Sequence, residues 1–375
     1  MPRRLLDTHH SSLRFSLNMP TLTTPIQLSN IYKPKIWGRR DLAPLFSAPH
    51  STDETAGHFA NKRIGEVWVT DAVSRLLNGP AAGMTLAEAS EKYGPELHGS
   101  SWPGRHFPLL AKYIFTSDWL SVQVHPDDAY AAIHDPGNVG KCEMWYFIKA
   151  DPDAAILLGL KPGVTKEQLL QVFKDGTSRD FLRSFRPQPE EAVFLPPGIV
   201  HALGPGLLLF EVEENSDLTY RLDDFGRPGL DGKPRPLHLE KGLDVIRPDL
   251  PPQRDLLRIE CTEEYGTHRF ILASRYFALE EMCLYHTGTF NSSPERVEVL
   301  SILEGKGRIE NEEGWMAYQP GSTWLIPPAA HVYRLAPRID TRLLKFYVPD
   351  LERDFREPLK RRGIPPEKIR QIVFE

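Results

Sequence analysis

Residues 192–203 read AVFLPPGIVHAL, and residues 323–335 read TWLIPPAAHVYRL. Each has a short run of β-forming residues, then Pro-Pro, then small residues and a histidine. A proline pair ends a strand, and the apolar residues beyond it mark a returning strand. The recurrence of this text implies two β modules of related design. The copies are not equal. Three residues separate the second proline from His201, and two separate it from His331. Side chains alternate along a strand, so one residue fewer turns a side chain to the opposite face. The two histidines are therefore not expected at equivalent places.

The same β character extends outward. EVWVT at 66–70, LSVQVH at 120–125, EMWYFI at 143–148, LLLFEVEE at 207–214 and VEVLSIL at 297–303 are short, rich in Val, Ile, Phe and Trp, and flanked by turn residues. There are 34 prolines in 375 residues, well above the usual share of about 5%. Strands joined by tight turns tolerate that density; a helical bundle does not. Helices are few. Thr85-Leu86-Ala87-Glu88 is a capping box that opens a helix to about Tyr93, and Thr165-Lys166-Glu167-Gln168 opens another to about Phe173. A further helical turn is expected near Phe181. The expected fold is mainly β, with short helical insertions and a second, smaller β module.

The proline-rich RPDLPPQRD at 247–255 reads as a linker. It divides the chain into a loose N-terminal extension (1–20), a first module with a helical insertion (21–248), a second module (249–350) and a charged tail packed on the outside (351–375). Lys and Arg number 45 and Asp and Glu 50, a net charge of −5. That argues against nucleic acid and anionic membranes as partners. No apolar run is long enough to span a bilayer. The start, MPRRLLDTHH, lacks the apolar core of a secretory signal. Three scattered cysteines (Cys142, Cys261, Cys283) suit a reducing cytoplasm. A monomer or weak homo-oligomer is expected.

Four elements carry chemistry. In Ser121-Val122-Gln123-Val124-His125, Gln123 and His125 share one strand face, where a satisfied polar edge is the bland alternative to metal ligation. Lys141 and Glu143 share the face of the next element, as a strand-edge ion pair or as a cation beside a carboxylate ligand. His201 follows the Pro-Pro-Gly turn; alone it reads equally well as a core histidine. Glu211 and Glu213 share a face of a later strand, with Arg221 beyond. Together, His, His, Glu and Gln from separate strands form an open first-row metal site without thiolate, suited to zinc.

These motifs, SVQVHPDD, GKCEMWYF, PPGIVHAL and ENSDLTYRLDDFGR, resemble the type I phosphomannose isomerase (mannose-6-phosphate isomerase) family. So do KPKIWGRRDL at 33–42, IGEVWVTD at 64–71, NGPAAGMTLAEA at 78–89 and HFPLLAKYIF at 106–115. The matches run in order from about 30 to 248. The resemblance implies a cupin-like jelly-roll core, one zinc ion per chain and interconversion of mannose 6-phosphate and fructose 6-phosphate through an enediol. It implies Gln123, His125, Glu143 and His201 as zinc ligands and Arg221 as a catalytic residue. Ser121, Lys112 and Lys141 then line the phosphosugar pocket, and Glu211 is an acidic pocket residue and the candidate proton-transfer base. Two departures stand out. The family's Ile-Gln-Gln-Asn-Ser-Asp is Val212-Glu213-Glu214-Asn215-Ser216-Asp217 here, which places two carboxylates where amides are usual; pointing inward, they would disfavour a phosphate. The second module lacks a His-x-His or Gln-x-His strand and reads as a metal-free cupin remnant. The rival readings are a phosphosugar-binding cupin without turnover and an iron-dependent cupin oxygenase built on His125, Glu143 and His201.

Overall fold

The structure, a computed structural model, describes residues 21–46, 62–254 and 256–375. The extension expected at 1–20 lies outside them. The chain is mainly β, with 40% strand and 17% helix, in three antiparallel sheets. The first has six strands, in the order Ile31–Arg39, Ile64–Trp68, Leu109–Phe115, Leu207–Glu214, Glu143–Ala150, Ala192–Leu195. The second has five: Tyr220–Asp223, Val122–Val124, His201–Leu203, Ile156–Leu160, Leu182–Phe185. The third has nine and is built largely from Ile259–Tyr347, but its edge strand is Ile26–Leu28, which pairs with Thr323–Ile326.

The six- and five-stranded sheets face each other. Trp145, Phe147, Leu207 and Leu209 of one meet Ile156, Leu158 and Leu203 of the other in a shared apolar cluster. The opposite face of the six-stranded sheet is also buried. Tyr113, Tyr146, Phe210 and Val212 pack there against Val299, Leu325, Leu344 and Phe346 of the nine-stranded sheet. A sheet covered on both faces explains why LLLFEVEE lacks a clean apolar–polar alternation.

The helix expected from Thr85 runs Leu86–Tyr93 with its capping box in place, and the one from Thr165 runs Lys166–Lys174. A 3-10 turn at Ser178–Phe181 meets the expectation near Phe181. Among the helices with no expectation from sequence are Asp128–His134 and Leu239–Val245. The first is capped by Asp127, whose carboxylate accepts from the Tyr130 amide. Asp128 then accepts the Gly140 amide, and the Lys141 amide donates to Pro126 O. This pins residues 140–141 beside the end of the strand that carries Gln123.

The stretch read as a linker is tied down: the Phe194 amide donates to Gln253 O. The tail packs outside the nine-stranded sheet through an apolar face, with Phe355, Leu359, Ile369 and Ile372 buried against Phe270 and Ala278. The two Pro-Pro turns end differently, as the spacing requires. Gly198, at φ 96°, closes the first turn and donates to His125 O; His201 follows in a strand, buried. In the second copy Pro328–Ala330 is a 3-10 turn, and His331 follows it exposed, at φ 52°.

Candidate metal centre and cavity

Strand register delivers the site. On the inner face of the six-stranded sheet, Glu143 continues the row of Trp145 and Phe147, and Glu211 and Glu213 continue the row of Leu207 and Leu209. Pairing sets Glu211 opposite both Lys112 and Trp145, and Glu213 opposite Glu143. Across the gap, pairing in the five-stranded sheet sets His201 and Arg221 on either side of Gln123. One end of the inter-sheet space is thus apolar and the other is lined with charge.

His125, Glu143 and His201 offer ligand atoms that all lie within 4.8 Å of one another, and all three residues are buried. His125 Nδ1 lies 2.8 Å from Leu218 O, and His201 Nδ1 lies 2.9 Å from Ile199 O. A carbonyl only accepts, so both protons sit on Nδ1 and both Nε2 lone pairs point inward. They face Glu143: His125 Nε2 is 3.7 Å from Oε2, and His201 Nε2 is 3.3 Å from Oε1. His125 Nε2 has no hydrogen-bond partner. The Gln123 amide completes the ring, its Nε2 3.1 Å from His201 Nε2 and its Oε1 accepting from Ser121 Oγ at 3.3 Å. Turning that amide over presents its oxygen to the centre and leaves its nitrogen to Ser121. Burial holds His125 well below the usual imidazole range and His201 at about 4, so both are neutral ligands at neutral pH. With the amide so turned and Glu143 ionised, the converging lone pairs fit a divalent cation.

A layer of ion pairs lies behind. Lys112 Nζ contacts Glu211 at 2.8 Å and Glu213 at 3.0 Å; Lys141 Nζ contacts Glu213 at 2.8 Å and Glu143 at 3.0 Å. Glu143, Glu211 and Glu213 also bring oxygens within 4.8 Å of one another, but the two ammonium groups already sit among them. Both groups of this kind among the described residues belong to the first module. Burial would raise Glu211, yet Lys112, Lys141 and the bond from Trp145 Nε1 at 2.8 Å outweigh it and hold it at about 2. Burial raises Glu143 to about 7 and raises Glu213 too, each opposed by the lysines.

A cavity of about 210 Å³ opens on this floor. All nine residues singled out in the sequence lie at this one site. Lys112, Ser121, Gln123, Lys141, His201, Glu211 and Arg221 line the cavity; His125 and Glu143 are buried beside them. Arg221 donates to Pro236 O from Nη1 at 3.1 Å, but its Nε is buried without a partner. Sequence reasoning missed Lys35, Glu66, Asp217 and Arg235 in the lining. Asp217 and Lys35 lay inside recognised motifs. Arg235 gave no such signal; it is fixed by Asp224, which accepts its Nε at 2.6 Å. The two departures part company: Glu213 is fully buried on the inner face, whereas Glu214, next to it on the strand, takes the opposite face, nearly buried and accepting from the Cys142 amide at 2.8 Å.

Facing antiparallel sheets with a histidine–carboxylate–amide cluster at one end define a cupin-type protein whose clustered side chains could hold a metal ion. The family model described as phosphomannose isomerase type I, catalytic domain, matches residues 26–150. Mannose-6-phosphate isomerase ManA of Bacillus subtilis (strain 168) is 34% identical over 318 residues, 84% of this chain and 96% of that protein. The crystal structure of the mannose 6-phosphate isomerase from Bacillus subtilis superposes with a TM-score of 0.77 at 27% identity, covering 87% of this chain and 100% of that one. A zinc-bound mannose 6-phosphate isomerase shares the fold at a TM-score of 0.67 and 16% identity, covering 87% of this chain and 99% of that one. The chain belongs to the type I phosphomannose isomerase family, within the cupin superfamily.

The Glu143 shift gives cation uptake a pH dependence. With a carboxyl raised to about 7, uptake below that pH must displace a proton. Affinity is expected to be flat above about pH 7 and to fall by about tenfold per unit below it, steepening near 4 as His201 takes a proton. Titration calorimetry in buffers of different ionisation enthalpy checks this. About one proton should be released per cation at pH 6, and release should vanish by pH 8.

Proposed function

We propose that this chain is a zinc-dependent aldose–ketose isomerase that interconverts mannose 6-phosphate and fructose 6-phosphate. The observation that carries the reading is the convergence of His125, Glu143, His201 and Gln123 beside a cavity that also presents Arg221 and Glu211. The relatives' names supply the substrate. The zinc-bound neighbour and the imidazole–carboxylate–amide donor set support zinc as the metal, one ion per chain. A bound zinc ion supplies Lewis-acid polarisation of sugar oxygens.

The chain's own groups do the rest. Isomerisation moves a proton between C2 and C1 through an enediol, so negative charge develops on adjacent oxygens. Arg221, which lines the cavity and has a buried Nε–H without a partner, stabilises that charge. Glu211 is ionised at neutral pH and faces the cavity, so it serves as the proton acceptor. Its low pKa makes it a weak base, so it takes a proton only as its contact with Lys112 loosens. Ser121 and Lys141 hold the sugar end, and Lys112 adds positive charge for the phosphate. Three free cysteines among the described residues and a phosphorylated metabolite as substrate support a cytoplasmic setting. No helix among the described residues is long and apolar enough to cross a membrane.

A coupled assay on the purified protein tests the reading. Mannose 6-phosphate should be converted to fructose 6-phosphate, a chelator should abolish turnover, and zinc should restore it. Turnover in protein shown by elemental analysis to be metal-free would reject it.

A further inference from the structure

The sequence singled out Glu213 as a carboxylate where an amide is usual, and the structure gives it a place that the proposed chemistry does not use. Glu213 is fully buried on the inner face of Leu207–Glu214, opposite Glu143 in the pairing register. One oxygen lies 3.0 Å from Lys112 Nζ and the other 2.8 Å from Lys141 Nζ. It is the shared partner of both lysines. Lys112 then continues to Glu211, and Lys141 to Glu143. A single chain of contacts thus runs from the cavity wall, through Glu213, to the carboxylate that faces both imidazoles.

We propose that Glu213 is a positioning residue that clamps Lys112 and Lys141 and lowers the charge of the loaded site by one unit, trading phosphate affinity for cation retention. This rests on the functional reading above. Two ammonium groups face four carboxylates here, Glu143, Glu211 and Glu213 and, 3.7 Å from Lys112, Asp217. With all of these groups ionised, a bound divalent cation brings an excess of two negative charges to zero; with an amide at 213, one positive charge would be left over. In a buried site such a charge acts over the width of the cavity. A less positive floor holds the dication more firmly and attracts a dianionic phosphate less. An amide also has one acceptor oxygen in place of two, and an N–H₂ that repels ammonium groups, so it holds the two lysines less firmly.

The test is Glu213→Gln in the full-length, zinc-loaded enzyme, with mannose 6-phosphate as substrate and inorganic phosphate as competing inhibitor. KM for mannose 6-phosphate and the inhibition constant of phosphate should both fall, by about threefold to tenfold. The fall should shrink in high salt, where charge effects are screened. Zinc should be lost to a chelator at about tenfold lower chelator concentration, read by metal analysis without any assay of turnover. A merely structural loss would raise KM and show no salt dependence. If E213Q is insoluble, Glu213→Met, uncharged and of similar size, reads the same quantities. An unchanged or raised KM, or zinc held as firmly as in the parent protein, overturns the inference. A parent protein that neither holds zinc nor converts the phosphosugar overturns the functional reading itself.

Discussion

Replacing His201 with alanine is expected to abolish both cation binding and isomerisation while leaving the fold intact. His201 is fixed from two sides. Its Nδ1 donates to Ile199 O at 2.9 Å, and its ring meets Trp145 edge-on with centroids 5.3 Å apart. Its Nε2 therefore cannot turn away from Glu143 and Gln123. Alanine removes one of two imidazole donors and leaves Glu143 facing a void on that side. Removing a group that only supports a ligand typically costs 10–100-fold in metal affinity; removing the ligand itself should cost more than about 100-fold. Turnover should fall by about 1000-fold or more, which is roughly 4 kcal/mol of barrier. Metal analysis after dialysis and the coupled assay measure the two effects, and circular dichroism checks the fold. An H201A protein that keeps stoichiometric zinc would show that the metal lies elsewhere.

Arg221→Ala should separate chemistry from metal binding. Arg221 pairs in register with Gln123 and lines the cavity, and its side chain donates to Pro236 O rather than to a residue facing the centre. Its guanidinium has no carboxylate within ion-pair distance among the described residues, whereas Arg227 and Arg235 are both bound by Asp224. An arginine left unneutralised beside a reaction cavity is available for charge that forms during the reaction. Loss of one such donor typically costs about 100- to 1000-fold in kcat. We expect a fall of that size with zinc content unchanged and KM altered by less than about tenfold. Arg221→Lys should recover only part of the rate, since an ammonium lacks the planar fork of donors. Full activity in R221A with zinc retained would remove Arg221 from the mechanism.

The candidate metal ligands were legible because each sits in a short local text whose alternation says which groups travel together. Gln123 and His125 lie two apart, Glu143 heads an apolar strand, and His201 follows a turn. What no local text shows is which face of a strand looks inward. In LLLFEVEE both faces are apolar, because the sheet is covered on both sides, so periodicity could not decide whether Glu213 points into the site or away from it. Leu207 and Leu209 decide it by joining the inter-sheet cluster, and Glu211 and Glu213 follow. Arg235 escaped notice for a related reason: its position depends on Asp224, eleven residues earlier, across a turn with no regular pattern.

The sequence alone determined the strand-rich architecture, the two capped helices, the doubled Pro-Pro turn and the residues able to bind a metal. These follow from steric preferences and side-chain alternation over a few residues, which neighbouring sequence sets. Tertiary structure decided that Ile26–Leu28 joins a strand almost 300 residues away. It also decided that Lys112 meets Glu211, and that Glu213 is buried between two ammonium groups. Such pairings are fixed by sheet register and by packing two sheets over one core, and those terms join residues far apart in the chain.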